Sequence, residues 1–170
     1  MNKLFAPLVV MALLGLGSCL NLDSPCIRNV SQGLLDLVDT VRLNQDTKLI
    51  DAYLVKNSIT AIKDRTGLRY RITQEGTGDT ACLGSYITAN YSGRFLSNGS
   101  TFDQSGASPR SFRVSDLILG WQIGFLKLKK GSKAVFYVPS GLAYGVNGKP
   151  PSIPSNAVLI FDLEVIDIQQ

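Results

Sequence analysis

From Thr66 onward several stretches set apolar residues on every second position, and one stretch among them takes helical spacing instead. That switch limits the fold more than any other feature, because a period of two belongs to half-buried strands and a period near 3.6 to helices. GLRYRITQEG sets Leu68, Tyr70 and Ile72 against polar neighbours, and GTGD follows as a turn. SYITANYSGRF places Ile87, Ala89 and Tyr91 on one face; Asn98-Gly99 then turns the chain back into Phe102. KAVFYVPS alternates Ala134, Phe136 and Val138, and AVLIFDLEVIDI puts Leu159, Phe161, Leu163 and Val165 on one face. The interruption is LILGWQIGFLKLKKG, whose Leu117, Trp121, Phe125 and Leu128 share one helical stripe, with Gly131 closing the helix. Several hairpin-spaced strands and one substantial helix predict an α+β domain over 66–170, an antiparallel sheet bent around a helix.

The segment before this domain reads differently. Between Val30 and Ile62, Leu34, Leu35, Val38 and Val41, then Leu49, Ile50, Tyr53 and Leu54, recur at helical spacing and predict one or two short amphipathic helices. These helices pack on the domain or on a second copy of it. Residues 1–18 read as a signal peptide: Lys3 precedes the apolar run LFAPLVVMALLGLG, which is short for a membrane span. The run ends in LGSC, similar to the bacterial lipobox, which implies cleavage before Cys19 and a lipid on that cysteine. Residues 19–65 would then be tether and helical segment, and the protein would belong to the cell envelope. Leu20, in place of an aspartate, favours the outer membrane, facing the periplasm. Cys26 and Cys82 remain as an even pair in an oxidising compartment, either bridged or as free or partner-directed thiols.

Composition closes several functional routes. The chain has no histidine and no CxxC pair, which disfavours the usual zinc sites and His-based catalysis. No GxSxG, P-loop or GxGxxG occurs, so neither a metal nor a nucleotide cofactor is expected. A net charge of +4 is modest, and the one basic cluster, Lys127, Lys129, Lys130 and Lys133, reads as a solvated face rather than a nucleic-acid surface.

What remains is apolar surface where loops do not need it. LAYGVNGKPPSIP, residues 142–154, is too rich in proline and glycine for a helix or strand, yet it carries Tyr144 and Ile153. ANYSGRFLSNGSTFDQS, F-x5-I-x-G-W from Phe112 to Trp121, GLAYG and IPSNAVLIFDLEV occur in an order and spacing that resemble the FKBP family of peptidyl-prolyl cis-trans isomerases. The resemblance covers residues 66–170 and implies a bent five- to six-stranded antiparallel sheet around one short helix, with an apolar pocket between them. It implies that Trp121 forms the pocket floor, that Tyr91, Phe112 and Phe161 line its walls, and that Phe102 lies beside them. Leu117 and Ile118 would match the pair whose second backbone N–H binds a substrate carbonyl. Asp103 would accept a hydrogen bond near Tyr91, Tyr144 would offer its hydroxyl to a ligand carbonyl, and Ile153 would lie under the same loop. The implied partners are proline-containing polypeptides and macrolides, the implied assembly a monomer or weak dimer. Lys149 and Ser152 depart from the histidine and aliphatic residue frequent at those positions and bear on the rim. The same pocket in a lipid-anchored module without turnover is the alternative reading.

Overall fold

The computed structural model describes residues 26–170. Two helices come first, α1 (Gln32–Leu35) and α2 (Thr40–Lys56), followed by β1 (Ile62–Lys63), β2 (Arg69–Gln74), β3 (Thr77–Thr80), β4 (Tyr86–Phe95), β5 (Thr101–Gln104) and β6 (Arg110–Arg113). After a 3-10 turn at Val114–Asp116 come α3 (Leu119–Phe125), β7 (Lys129–Lys130), β8 (Lys133–Val138) and β9 (Leu159–Gln169). The main sheet runs β1-β2-β8-β9-β4-β5, every pair antiparallel, and β6 also pairs with β4. It has seven strands because β1 adds a two-residue edge before the expected domain start and because β5 and β6 pair with different stretches of β4.

Two local expectations change. GTGD contributes to β3, which pairs with β7 in a separate two-stranded sheet. The helix stops at Phe125 rather than running to Gly131; Gly131, at φ 82°, instead makes the turn between β7 and β8. That left-handed backbone is one only glycine adopts without strain.

Both faces of the sheet are covered. Ile87, Ala89 and Tyr91 of β4 and Leu159, Phe161, Leu163 and Val165 of β9 point into the core shared with α3. The helix comes close because it presents glycine to the sheet: a methyl at Gly120 would overlap Val138, and one at Gly124 would overlap the Phe136 ring. On the opposite face α2 packs Ile50 and Leu54, one helical turn apart, against Tyr137, Val158 and Ile160. Each of these side chains contributes about 1.5–3 kcal/mol by leaving water. Asp39 starts the helix by accepting hydrogen bonds from Val41 N at 2.9 Å and Arg42 N at 3.0 Å. Leu34, Val41 and Leu49 of the expected stripe stay exposed, so the buried line is Asp46, Ile50 and Leu54. Cys26 and Cys82 are joined as a disulfide, with Cα atoms 5.2 Å apart, which holds the start of the described chain against the loop before β4. Cys19 lies outside the described residues.

Candidate functional site

Four rings surround one indole. Trp121, in the first turn of α3 and 5% exposed, meets Tyr91 at 5.3 Å, Phe112 at 5.8 Å, Phe125 at 5.3 Å and Phe161 at 5.0 Å between centroids. All four contacts are edge-on, the geometry aromatic quadrupoles favour. The period-two register of β4 and β9 turns Tyr91 and Phe161 inward, and β6 brings Phe112 opposite Ile87. Phe102 leans on Phe161 at 5.7 Å. That contact needs Gly93, because a Cβ there would sit 2.7 Å from Phe102 and 2.9 Å from Phe161. A glycine inside a strand pattern is the sequence signal for such an approach.

Tyr91, Phe102, Phe112, Trp121 and Phe161 wall a cavity of about 340 Å³ that also takes in Asp103, Leu117, Ile118 and Tyr144, while Phe125 supports the indole from the core. Nine of the ten expected pocket residues line it. Ile153 does not: it is 3% exposed in the core beneath the loop, where its backbone pairs with Lys149 through hydrogen bonds of 2.8 and 2.9 Å. Arg110, Asp116 and Lys149 line the cavity as well. Lys149 was legible as a departure at the rim; nothing in the sequence marked Asp116.

The donors are placed with economy. The indole Nε1 of Trp121 is buried without a hydrogen-bond partner. Ile118 N–H finds no acceptor among the described residues, while the Gln122 amide holds the turn before it by donating to Leu117 O at 2.7 Å and Ser115 O at 3.1 Å. Tyr91 donates its hydroxyl proton to Asp103 at 2.8 Å and accepts from Arg110 at 3.0 Å; Arg110 also lies 3.8 Å from Asp103. Burial first, then the Asp103 hydrogen bond and charge, push the Tyr91 phenol up to about 12, so it remains a donor throughout the physiological range. Burial and then Asp103 also raise Tyr144. Lys149 reaches over the Tyr144 ring, 5.8 Å from its centroid.

The Tyr144 loop is braced from behind by α2. Asp46, fully buried, accepts from Ser140 N at 2.8 Å and Ser140 Oγ at 2.5 Å, and it pairs with Arg42 Nε at 2.9 Å. Arg42 Nη2 in turn donates to Asn156 O at 3.0 Å, so one helix holds both ends of the stretch 140–156. Inside it, Asn156 N donates to Gly145 O at 2.8 Å.

A model of the family described as FKBP-type peptidyl-prolyl cis-trans isomerase matches residues 78–166, more than half of the chain. The chain belongs to this family. Its FKBP domain is 42% identical over 107 residues to FK506-binding protein 4 of Dictyostelium discoideum, covering 62% of this chain and 29% of that protein. It is 38% identical over 125 residues to a probable FKBP-type peptidyl-prolyl cis-trans isomerase, FkpA, of Neisseria meningitidis, covering 69% of this chain and 44% of the relative. The chain therefore spans less than half the length of these relatives. Among solved structures, FkpA from Escherichia coli superposes with a TM-score of 0.66 at 30% identity, over 81% of this chain and 64% of that one. A peptidyl-prolyl cis-trans isomerase from Pseudomonas syringae gives 0.67 at 26% identity, over 76% and 95%. The sheet, its short helix and the N-terminal helix are thus those of an FKBP fold.

Proposed function

We propose that the cavity over Trp121 binds X-Pro segments of polypeptides and accelerates rotation about the X-Pro bond. The observation that carries this reading is the aromatic box with an unpaired indole N–H at its base and the free Ile118 N–H at its edge. Rotation about a peptide bond faces a barrier of about 18–20 kcal/mol because resonance gives C–N double-bond character. No covalent bond has to break, so no general acid, general base or nucleophile is required. An apolar enclosure disfavours the charge-separated resonance form of the planar amide, and it thereby favours the twisted one. Fixed donors at Ile118 and Tyr144 hold the flanking carbonyls while the bond turns. Macrolides of suitable shape would compete for the same walls.

Uncatalysed, the step takes tens to hundreds of seconds. The cis-to-trans relaxation of a Leu-Pro tetrapeptide should therefore quicken in proportion to added protein. Folded protein that leaves the rate unchanged, across several residues before proline, would assign the pocket to binding without turnover.

We further propose that the chain is a lipoprotein of the cell envelope, anchored at Cys19 and sorted to the outer membrane facing the periplasm. The lipobox-like LGSC supports this. Several buried acyl chains, at about 0.8 kcal/mol per CH₂, hold a domain stably. In a bacterial host, Cys19→Ser should lose labelling by fatty acid and leave the membrane pellet; retention of both would refute the assignment.

A further inference from the structure

Charged side chains line the proline cavity beside its rings: Asp103, Arg110, Asp116 and Lys149. The first three are engaged. Asp103 accepts from the Tyr91 hydroxyl at 2.8 Å and lies 3.8 Å from Arg110, which itself donates to Tyr91 at 3.0 Å. Asp116, two residues before Ile118, accepts from the Ser115 hydroxyl at 3.0 Å. Lys149 differs: among the described residues no carboxylate comes within ion-pair distance of its ammonium.

The lysine is nonetheless positioned. Its backbone N–H donates to Ile153 O at 2.8 Å, and its carbonyl accepts from Ile153 N at 2.9 Å and Ser152 N at 3.0 Å, which fixes the tip of the loop. The ammonium lies 5.8 Å from the centroid of the Tyr144 ring, whose hydroxyl is the proposed carbonyl donor. A ring face attracts a cation without neutralising it. One uncompensated positive charge therefore stands on the wall of an otherwise apolar and internally paired site. We propose that Lys149 is a specificity-determining residue of this cavity: it favours polypeptides that carry a glutamate or aspartate directly beside the proline. This rests on the isomerase reading and adds a client class to it. The neighbours of a proline seated over Trp121 stand about 3.8 Å from it between Cα atoms, within reach of a lysine that lines the same cavity. Arg110 does not compete for that carboxylate, since its charge is already spent on Asp103.

End-blocked tetrapeptides carrying Glu, Gln or Lys before the proline in one series, and after it in the other, are given to full-length protein. Exchange NMR reads their cis–trans interconversion, and emission of Trp121, the only tryptophan, reads their binding. In one of the two series the Glu peptide should exceed the Lys peptide by about tenfold in kcat/KM at low salt, attraction for one adding to repulsion of the other. Gln should fall between them. The order should collapse near 1 M salt, where charges are screened beyond about 3 Å. The Glu-to-Lys ratio is read within each variant, so a general loss of turnover cancels. Lys149→Met should bring that ratio within about twofold of one, Lys149→Arg should keep it, and Lys149→Glu should invert it. Equal rates for the Glu and Lys peptides in both series of wild type overturn the proposal, as does a preference that survives in Lys149→Met. If no peptide is accelerated but the Glu peptide binds more tightly through Lys149, the isomerase reading fails and the charge preference of the cavity stands.

Discussion

Asp46→Ala lowers the free energy of unfolding by about 3–5 kcal/mol, because two buried hydrogen bonds to a carboxylate, each contributing about 1.5–3 kcal/mol, are lost together. The alanine strands three groups together: the backbone N–H and hydroxyl of Ser140, and the Arg42 guanidinium. For a domain of this size the loss corresponds to a drop of roughly 10 °C in Tm. Urea denaturation followed by far-UV circular dichroism measures it, and a change below about 1 kcal/mol would show that water satisfies these groups without α2. Because Ser140 begins the stretch that carries Tyr144, the same variant is expected to lose turnover at temperatures where it is still folded. Asp46→Asn, which keeps an acceptor for Ser140, is expected to recover part of both.

Phe161→Ala has the largest expected effect on the site itself. Its ring is the closest to Trp121, at 5.0 Å, and it also supports Phe102 at 5.7 Å, so its removal opens the wall on two sides. Truncating a buried phenylalanine costs about 3–5 kcal/mol of stability. If the cavity works by excluding water, losing even 1.4 kcal/mol of that effect lowers kcat/KM tenfold. A fall of at least about tenfold on a Leu-Pro tetrapeptide is expected at a temperature where the variant remains folded. Phe161→Leu, which refills most of the volume, should lie between the two. Unchanged turnover in folded Phe161→Ala would mean that enclosure by this wall is not what lowers the barrier.

The parts of the fold that were legible in the sequence are those where one periodicity had one partner. β4 and β9 alternate strictly through their central stretches because one face meets α3, and this alone brings Tyr91 and Phe161 together. Trp121 followed from a helical stripe and from the family motif around it. The brace through Asp46 was not legible, since an aspartate in an amphipathic helix reads as solvated until the partner 94 residues away is known. The end of α3 was misplaced for a related reason. Leu126 and Leu128 extend the apolar run beyond Phe125, but Lys129 and Lys130 are taken by pairing with β3, a contact that no local pattern encodes. Ile153 lies beneath the Tyr144 loop as the resemblance implied, its backbone paired with Lys149, but it belongs to the core and does not line the cavity.

Trp121 is the only tryptophan in the chain, so its emission reports on the cavity floor alone. The most direct test is to titrate a Leu-Pro tetrapeptide while recording Trp121 fluorescence and, by exchange NMR on the same samples, the rate of cis–trans interconversion. Both signals should saturate at one peptide concentration, and Phe161→Ala should move both to higher concentration together. Interconversion that accelerates and saturates while Trp121 emission stays constant would place catalysis elsewhere on the molecule and contradict the assignment of this cavity.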